Sequence, residues 1–169
     1  MAIRDDDDIS SLYERIEIAG LELLQTHLPA LREGRALFRH QEPGKWPIMP
    51  QRSPQDGLID WTWPTRRIHD FIRAQTHPYP GAFTTYKEKK VSIWRSEPLV
   101  SSQSGDGPGG KILRFANDKQ QPGLIIKTGS QKGGILAIRI GVGGEEMNAL
   151  EYAKRYGVRI GDSFGGKSH

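Results

Sequence analysis

The stretch THPYPGAFTTYKEKKVSIW, Thr76–Trp94, decides the fold because the character of the chain changes within it. Two prolines flank Tyr79, and Gly81 follows them. Proline holds its φ angle at about −65° and restricts the residue before it, while glycine permits a sharp turn. These residues predict a stiff elbow between a helix and a strand. Two interpretations stay open: a rigid wall of a substrate cleft that carries Tyr79, or a purely structural joint.

A short helix is predicted immediately before the elbow. It begins near Pro64, which suits a first helical turn, and it must end before Pro78 because the residue preceding a proline becomes extended. The side chains at helical spacing are Ile68, Phe71, Ile72 and Gln75. The basic face consists of Arg66, Arg67, His69 and Arg73.

A longer helix is predicted near the start of the chain. We expect a capping box between Ser11 and Glu14, a kink at Pro29 and an end at Gly34. The proline-rich connector at 35–62 offers little apolar surface to cover this helix. Its apolar stripe therefore predicts a partner, either a larger body or a second copy of the chain. The stripe is Leu12, Ile16, Ala19, Leu23, Leu24, Leu28 and Leu31.

Short strands separated by glycine turns follow the elbow. They are predicted at Val91–Trp94, Gly110–Phe115, Leu124–Thr128, Gly134–Ile140 and around Ile160, with a helix at Glu145–Arg155 that Gly157 ends and a loop at 101–110. Several short strands at this spacing favour a small barrel or sandwich. Trp94 is expected in the barrel core. Of Trp61 and Trp63, one is expected to anchor the connector and the other to be exposed, with packing as the role of both.

The composition indicates a soluble protein with an unequal charge distribution. The chain has no cysteine, which favours a reducing cytoplasm, and no apolar run of the about 18 residues that a membrane span needs. The net charge of +4 divides into −4 over residues 1–62, from 7 Lys/Arg and 11 Asp/Glu, and +8 over residues 63–169, from 17 and 9. A basic C-terminal part predicts a polyanionic partner such as tRNA, with a plain solvated surface as the alternative.

Lysines are concentrated where a hairpin is expected. Lys87, Lys89 and Lys90 form a basic cluster that could follow a phosphate backbone. Further basic residues occur along the predicted barrel at Lys111, Arg114, Lys119, Lys127 and Lys132. The chain shows no catalytic constellation, no phosphate-binding loop and no histidine spacing suited to a metal site. The sequence thus predicts neither catalytic nor metal-binding residues, and His77 beside the prolines is expected to cap a helix end.

Several motifs resemble the downstream part of the folate-dependent formyltransferases, which include the methionyl-tRNA and the amino-sugar enzymes. The most specific is RSPQDGLIDWTWPTRRIHDFIRAQTHPYPGAFT at 52–84. The helix AGLELLQTHLPALREG and a lone Gln41 precede it. VSIW, GKIL, GLIIKTGSQKGGILAIRI and ALEYAKRYGVRIGDSF follow it. The resemblance extends from about Ile9 to Phe164 and is weaker in the barrel.

The resemblance implies an α+β fold with helices and an extended linker before a small barrel similar to an OB fold. Residues 1–62 would be the last helix of a catalytic domain plus the linker, and residues 63–169 the barrel domain. In the family, a Rossmann-like N-terminal domain binds 10-formyltetrahydrofolate and carries the catalytic Asn, His and Asp near an HPSLLP-type motif. No such motif occurs here, so we expect this chain to bind no cofactor and to lack the chemistry.

The implied function is acceptor binding, most readily of methionyl-tRNA. The candidate residues are Arg73, Lys87, Lys89 and Lys90 for phosphate contacts and Tyr79 for the wall of the cleft. The expected partners are tRNA and either a separate catalytic domain or a second copy of the chain bound through the first helix. Two alternatives stay open: part of an amino-sugar N-formyltransferase, or a non-enzymatic module that binds nucleic acid or another partner.

Overall fold

The computed structural model describes residues 2–40, 42–44, 47–100, 106–118 and 120–165. Gln41, Lys119 and residues 101–105 of the predicted loop lie outside the described residues. The helices are α1 (Ile9–Arg32), α2 (Thr65–Arg73) and α3 (Ala149–Tyr156), and a 3-10 turn spans Pro54–Gly57. The strands are β1 (Ala82–Tyr86), β2 (Lys89–Val100), β3 (Ile112–Ala116), β4 (Gly123–Lys127), β5 (Gly133–Val142) and β6 (Glu145–Asn148).

The strands form one antiparallel sheet in the order β1-β2-β5-β4-β3, and β6 pairs with the free part of β5. The predicted α+β class is therefore confirmed. The sheet is not closed into a barrel, because within the described residues β1 and β3 are its two edges and do not pair with each other.

The gap between the two edges is bridged by residues 161–165, here called the closing segment. The amide of Phe164 donates to the carbonyl of Gly110, just before β3, over 2.9 Å. The next amide, that of Gly165, donates to the carbonyl of Thr85 in β1 over 2.8 Å. An irregular segment therefore connects the edges that a regular barrel would join by a strand pair.

The core lies between the sheet and the helices α2 and α3. Helix α2 contributes Ile68 and Ile72, and α3 contributes Tyr152. Every residue of β4 is buried, whereas buried and partly exposed side chains alternate at the start of β2. The largest fully buried side chains of the strands and the closing segment are Val91, Ile93, Ile112, Leu124, Ile126, Ile135, Ile140 and Phe164.

The connector joins this core before residue 63. Ile59 donates its amide to the carbonyl of Phe83 over 2.8 Å, and Leu58 forms a parallel bridge to the same residue. Ile59 and Trp61 are both buried in the core cluster. Trp61 is thus the anchor that the sequence predicted, while Trp63 is partly buried. The domain boundary between residues 62 and 63 stays a prediction.

The N-cap residue of helix α1 lies three residues before the predicted one. Asp8 is the N-cap: its carboxylate accepts from the Ser11 amide at 2.9 Å, and the Ser11 hydroxyl accepts from the Asp8 amide at 3.1 Å. The predicted Ser11–Glu14 box is wrong because Asp8 takes the capping position first. The helix ends at Arg32, close to the expected stop, and Gly34 follows with a φ of +69°. No residue of α1 is buried, so its leucine stripe faces outward.

Two predictions for the C-terminal part are wrong. Residues 145–148 form β6 and not the start of a helix, because Gly143 and Gly144 adopt positive φ angles and turn β5 back into a hairpin. Helix α3 then begins at Ala149 and ends before Gly157, whose φ of +64° confirms the predicted helix end. Ile160 is not in a strand: it lies in a turn and is 61% exposed.

Candidate functional site

The three lysines predicted as a cluster lie at the hairpin between β1 and β2. Tyr86 pairs with Lys89, and the two residues between them, Lys87 and Glu88, have φ angles of 47° and 65°. Positive φ at both central positions is the signature of the two-residue turn that matches strand twist. The predicted hairpin location is confirmed, and we call Lys87, Lys89 and Lys90 the lysine hairpin.

Aromatic rings support all three lysines. The ammonium of Lys90 lies 4.1 Å from the ring centroid of Phe83, that of Lys87 lies 5.0 Å from Tyr86, and that of Lys89 lies 5.7 Å from Tyr156. A cation over a ring face is attracted by the ring quadrupole while its outer side stays hydrated. The lysine hairpin is therefore held at the surface with its charges facing solvent, as a contact for an anion requires.

The base of the hairpin is fixed by a buried hydroxyl. Tyr86 donates to the Asp162 carboxylate over 2.6 Å, and burial together with this carboxylate raises the pKa of Tyr86 to about 12. Burial also acts to raise the pKa of Asp162, but the hydrogen bonds from Tyr86 and from the Arg159 amide outweigh it and leave that pKa lowered. The bond joins the end of β1 to the closing segment. It therefore stabilises both the base of the hairpin and the edge of the sheet.

The elbow brings Tyr79 against α1. The hydroxyl groups of Tyr79 and Tyr13 form a hydrogen bond, and the ring centroids are 6.1 Å apart. The His77–Pro78 peptide bond is cis, and the amide of Tyr79 closes a turn onto the Thr76 carbonyl at 3.0 Å. Tyr79 is 41% exposed, so it lies at the surface beside the first helix. Its predicted role as a cleft wall stays a prediction.

Arg73 lies on the other side of the elbow and is engaged within the chain. Its Nε donates to Asp70 over 2.8 Å, and its terminal nitrogen donates to the backbone carbonyls of Asp7 and Arg4. The side chain therefore ties α2 to the acidic segment before α1. Its predicted contact with phosphate is not tested by this placement and stays a prediction.

Trp94 is outside the core, contrary to prediction. It follows the inward-facing Ile93 and lies at a bulge in β2, where the register against β5 shifts. A bulge re-aims side chains, and alternation already places residue 94 on the opposite face from Ile93. The indole lies between Gly81 and Gly141, where an added Cβ would come within 2.8 Å and 2.4 Å of it. Only glycine fits at these two positions.

A cleft of about 670 Å³, here called the hinge cleft, opens beside this indole. The imidazole of His77 stacks on Trp94, with centroids 4.1 Å apart, and its Nε2 lies 2.5 Å from a Glu146 oxygen. Arg139 binds the other oxygen of Glu146 at 2.9 Å. Sequence reasoning missed this cluster, because it depends on the register of β2, β5 and β6 and on residue 146 being in a strand.

The hinge cleft does not suit a folate. Four consecutive carboxylates, Asp5–Asp8, line it together with Glu97 and Glu146. Its arginines already face acids, as in the Arg139–Glu146 pair at 2.9 Å and the Arg95–Glu97 pair at 3.9 Å. A ligand with a glutamate tail would meet like charge there. Within the described residues, no group of three or more His, Asp or Glu could hold a metal ion.

One of the predicted basic residues is internal. Lys127 is 4% exposed, and its ammonium donates to the carbonyls of Thr128 at 3.1 Å, of Gln131 at 3.3 Å and of Gly133 at 3.4 Å, and also to that of Ser130. It therefore stabilises the β4–β5 turn from inside and is not available to a phosphate. Lys132 at the same turn is exposed.

The fold has counterparts among solved structures. The open antiparallel sheet preceded by an elbow and a helix is found in crystal structures of HypX from Aquifex aeolicus. An alanine-substituted HypX variant superposes with a TM-score of 0.70 at 15% identity, over 96% of this chain and 28% of that chain. HypX in complex with tetrahydrofolic acid gives a TM-score of 0.60 at 15% identity, over 84% and 24%. At this identity the likeness concerns the fold.

The family follows from the sequence. The family described as "Formyl transferase, C-terminal domain" matches residues 52–157, and this chain belongs to it. The chain is also similar to the methionyl-tRNA formyltransferase of Caldanaerobacter subterraneus subsp. tengcongensis, with 33% identity over 152 residues. That match covers 90% of this chain and 46% of the relative, so the chain spans about half the length of this curated relative. In the described part of the chain, no helix has the length and apolar character to cross a bilayer.

Proposed function

We propose that this chain is the acceptor-binding part of a formyltransferase that transfers a formyl group from 10-formyltetrahydrofolate to methionyl-tRNA. The observation that carries the proposal is the lysine hairpin: three ammonium groups backed by aromatic rings, at the surface of a domain related to a methionyl-tRNA formyltransferase. Three lysines and Glu88 give the hairpin a formal charge of +2. Such a surface attracts a phosphate backbone without reading bases.

In this proposal, the formyl-transfer reaction itself takes place in another domain. Formyl transfer requires a general base for the amine proton and donors for the developing oxyanion. The acidic hinge cleft offers a poor site for a folate. This supports a division of labour in which the present chain holds the acceptor. The outward leucine stripe of α1 would then contact the domain that binds the cofactor.

Charge reversal tests the proposal directly. We expect Lys87→Glu, Lys89→Glu and Lys90→Glu together to weaken tRNA binding and to lower the slope of log affinity against log salt by about 0.7–0.9 for each phosphate that is no longer neutralised. The matched control reverses three other exposed cations, Arg32, Arg39 and Lys154, and so changes the net charge equally. An equal weakening in both variants, or an unchanged curve in the first, contradicts the assignment.

A second experiment addresses the chemistry. The purified chain is assayed for formyl transfer to methionyl-tRNA with 10-formyltetrahydrofolate, alone and with a separately expressed folate-binding domain of a relative. We expect activity only in the mixture. Transfer by the chain alone contradicts the division of labour. Transfer in the mixture to an amino sugar and not to methionyl-tRNA identifies the other acceptor class.

A further inference from the structure

A second basic surface lies around Trp63, outside the lysine hairpin. The guanidinium carbon of Arg67 lies 4.1 Å from the Trp63 ring centroid, and that of Arg52 lies 5.7 Å from the Phe71 centroid. The two rings meet edge to face, with centroids 5.1 Å apart and planes at 81°. We call Arg52, Trp63, Arg67 and Phe71 the arginine–aromatic patch.

The two arginines of this patch form no salt bridge within the described residues. Neighbouring Arg66 is neutralised by Asp70 at 3.1 Å and Asp5 at 2.7 Å. By contrast, among the described residues no carboxylate oxygen lies within 4.0 Å of the nitrogens of Arg52 or Arg67. The patch therefore presents two exposed cations that form no salt bridge within the described residues, and their nearest charge partners are Asp60 and Asp56.

Nearby acids are occupied by hydrogen bonds of their own. The hydroxyl and then the amide of Thr62 hold the pKa of Asp60 below its usual range, and the charge of Arg67 adds to this effect. The pKa of Asp56 is lowered in the same way by the amide and hydroxyl of Ser53, with a smaller contribution from Arg52. Both carboxylates are hydrogen-bonded within their own turns, Asp56 to Ser53 and Asp60 to Thr62.

The position of the Arg67 guanidinium over the indole favours one class of ligand. The N–H donors of a guanidinium lie in its own plane, where they match phosphate oxygens in pairs. Its outer face remains a flat cation on which an unpaired base can stack. Trp63, Arg67 and a base would then form a three-layer stack, with Arg52 beside it for the adjoining phosphate.

The topology separates this patch from the lysine hairpin. The carbonyl of Trp63 accepts from the Gly129 amide at 2.9 Å in the β4–β5 turn. That turn leads into Gly133, which pairs with Val100 at the end of β2, whereas the lysine hairpin lies at the beginning of the same strand. The two surfaces therefore belong to different segments of the fold, the turn after β4 and the turn after β1. A folded RNA could contact both.

We infer that the arginine–aromatic patch binds unpaired nucleotides of an RNA, with a base on Arg67 and a phosphate between Arg67 and Arg52. This inference rests on the proposed binding of tRNA and assigns a second, single-strand-specific contact to it. The lysine hairpin would hold the phosphates of a folded region, and the patch would hold a strand that is free to expose its bases.

The test uses the full chain and a fluorescein-labelled single-stranded adenine octanucleotide, with an RNA duplex of the same length as comparison. We expect Arg52→Gln with Arg67→Gln to weaken single-strand binding about tenfold or more and to lower the salt slope by about 1.4, because two phosphates are no longer neutralised. Arg67→Lys keeps the charge but removes the planar stack. It should therefore weaken binding about threefold or more at an unchanged salt slope.

Testing the lysine variants and the arginine variants with both ligands distinguishes failure of this inference from failure of the proposed function. Replacing Lys87, Lys89 and Lys90 by Gln should weaken tRNA binding but leave octanucleotide binding within about twofold, since the inference assigns the oligonucleotide to the patch. If the lysine variant binds tRNA normally, the proposed function fails and the octanucleotide result still decides the patch. Wild-type affinity for the octanucleotide in the double glutamine variant, equal affinity of Arg67→Lys and wild type, or no single-strand binding by the wild type overturns the inference. Unfolding midpoints verify that the variants are folded.

Discussion

Trp61 Nε1 donates a 3.0 Å hydrogen bond to Thr84 Oγ1, and both residues are buried. Trp61 belongs to the connector before α2, whereas Thr84 is the central residue of β1. The bond therefore joins the proline-rich segment to the edge of the sheet. It also fixes the connector to the strand that leads into the lysine hairpin.

Removal of the Thr84 hydroxyl should destabilise the fold without changing its shape. We expect Thr84→Val to lower the free energy of unfolding by about 1–3 kcal/mol, because the indole N–H would stay buried without a partner. Urea denaturation followed by circular dichroism measures the change. Thr84→Ser keeps an acceptor and should be destabilised less. A Thr84→Val variant as stable as the wild type would show that this hydrogen bond contributes nothing measurable.

The buried ammonium of Lys127 provides a second test. Lys127→Met keeps much of the side-chain volume but leaves the carbonyls of the β4–β5 turn without their donor. We expect the free energy of unfolding to fall by about 1.5–3 kcal/mol. Lys132→Met, at an exposed position of the same turn, should stay within about 0.5 kcal/mol of the wild type. If the two substitutions cost the same, the internal hydrogen bonds of Lys127 contribute nothing measurable.

The closing segment should be essential to the fold although it forms no strand. Phe164 is 2% exposed, stacks on Trp61 with centroids 6.2 Å apart and meets Tyr86 at 5.7 Å. Phe164→Ala should cost about 3–5 kcal/mol. Ile160→Ala, four residues earlier and largely exposed, should cost less than about 0.5 kcal/mol. Thermal and urea unfolding of both variants gives the comparison, and a mild Phe164→Ala effect would mean that the edges hold together without the segment.

The fold was predictable where local signals and tertiary packing agree. The spacing of Ile68 and Ile72 with Pro64 in front defines α2, and alternation at Val91 and Ile93 defines the start of β2. The prediction failed at residues 145–148, since Glu and Met fit a helix locally and only the pairing with β5 makes them a strand.

The candidate site was predictable only where its residues are adjacent in sequence, and not where it depends on tertiary contacts. The lysine hairpin could be located because turn residues and lysines are adjacent in sequence. The inward ammonium of Lys127 could not be foreseen, because it depends on four carbonyls gathered by the fold. The stacking of His77 on Trp94 likewise requires knowledge of the elbow and of the bulge in β2.

Acid should destabilise the chain through His69. This imidazole is buried on α2 with Nδ1 3.2 Å from Ser96 Oγ, and burial is the largest cause of its lowered pKa relative to the ordinary value of 6.5. Nearby Glu97 and Asp70 act in the opposite direction, and Arg73 and Arg66 support the lowering. A lowered pKa in the folded state means that the unfolded chain binds the proton more readily. The stability contributed by neutral His69 is therefore complete above pH 6.5 and is lost as the pH falls through the folded pKa.

Urea unfolding at several pH values between about 7.5 and 5 measures this dependence. We expect the free energy of unfolding to decline below about pH 6.5, with the decline reduced in His69→Gln, which cannot titrate. His27→Gln, at an exposed position of α1, serves as the matched control. A His69→Gln profile that parallels the wild type at every pH would assign the acid sensitivity to other groups.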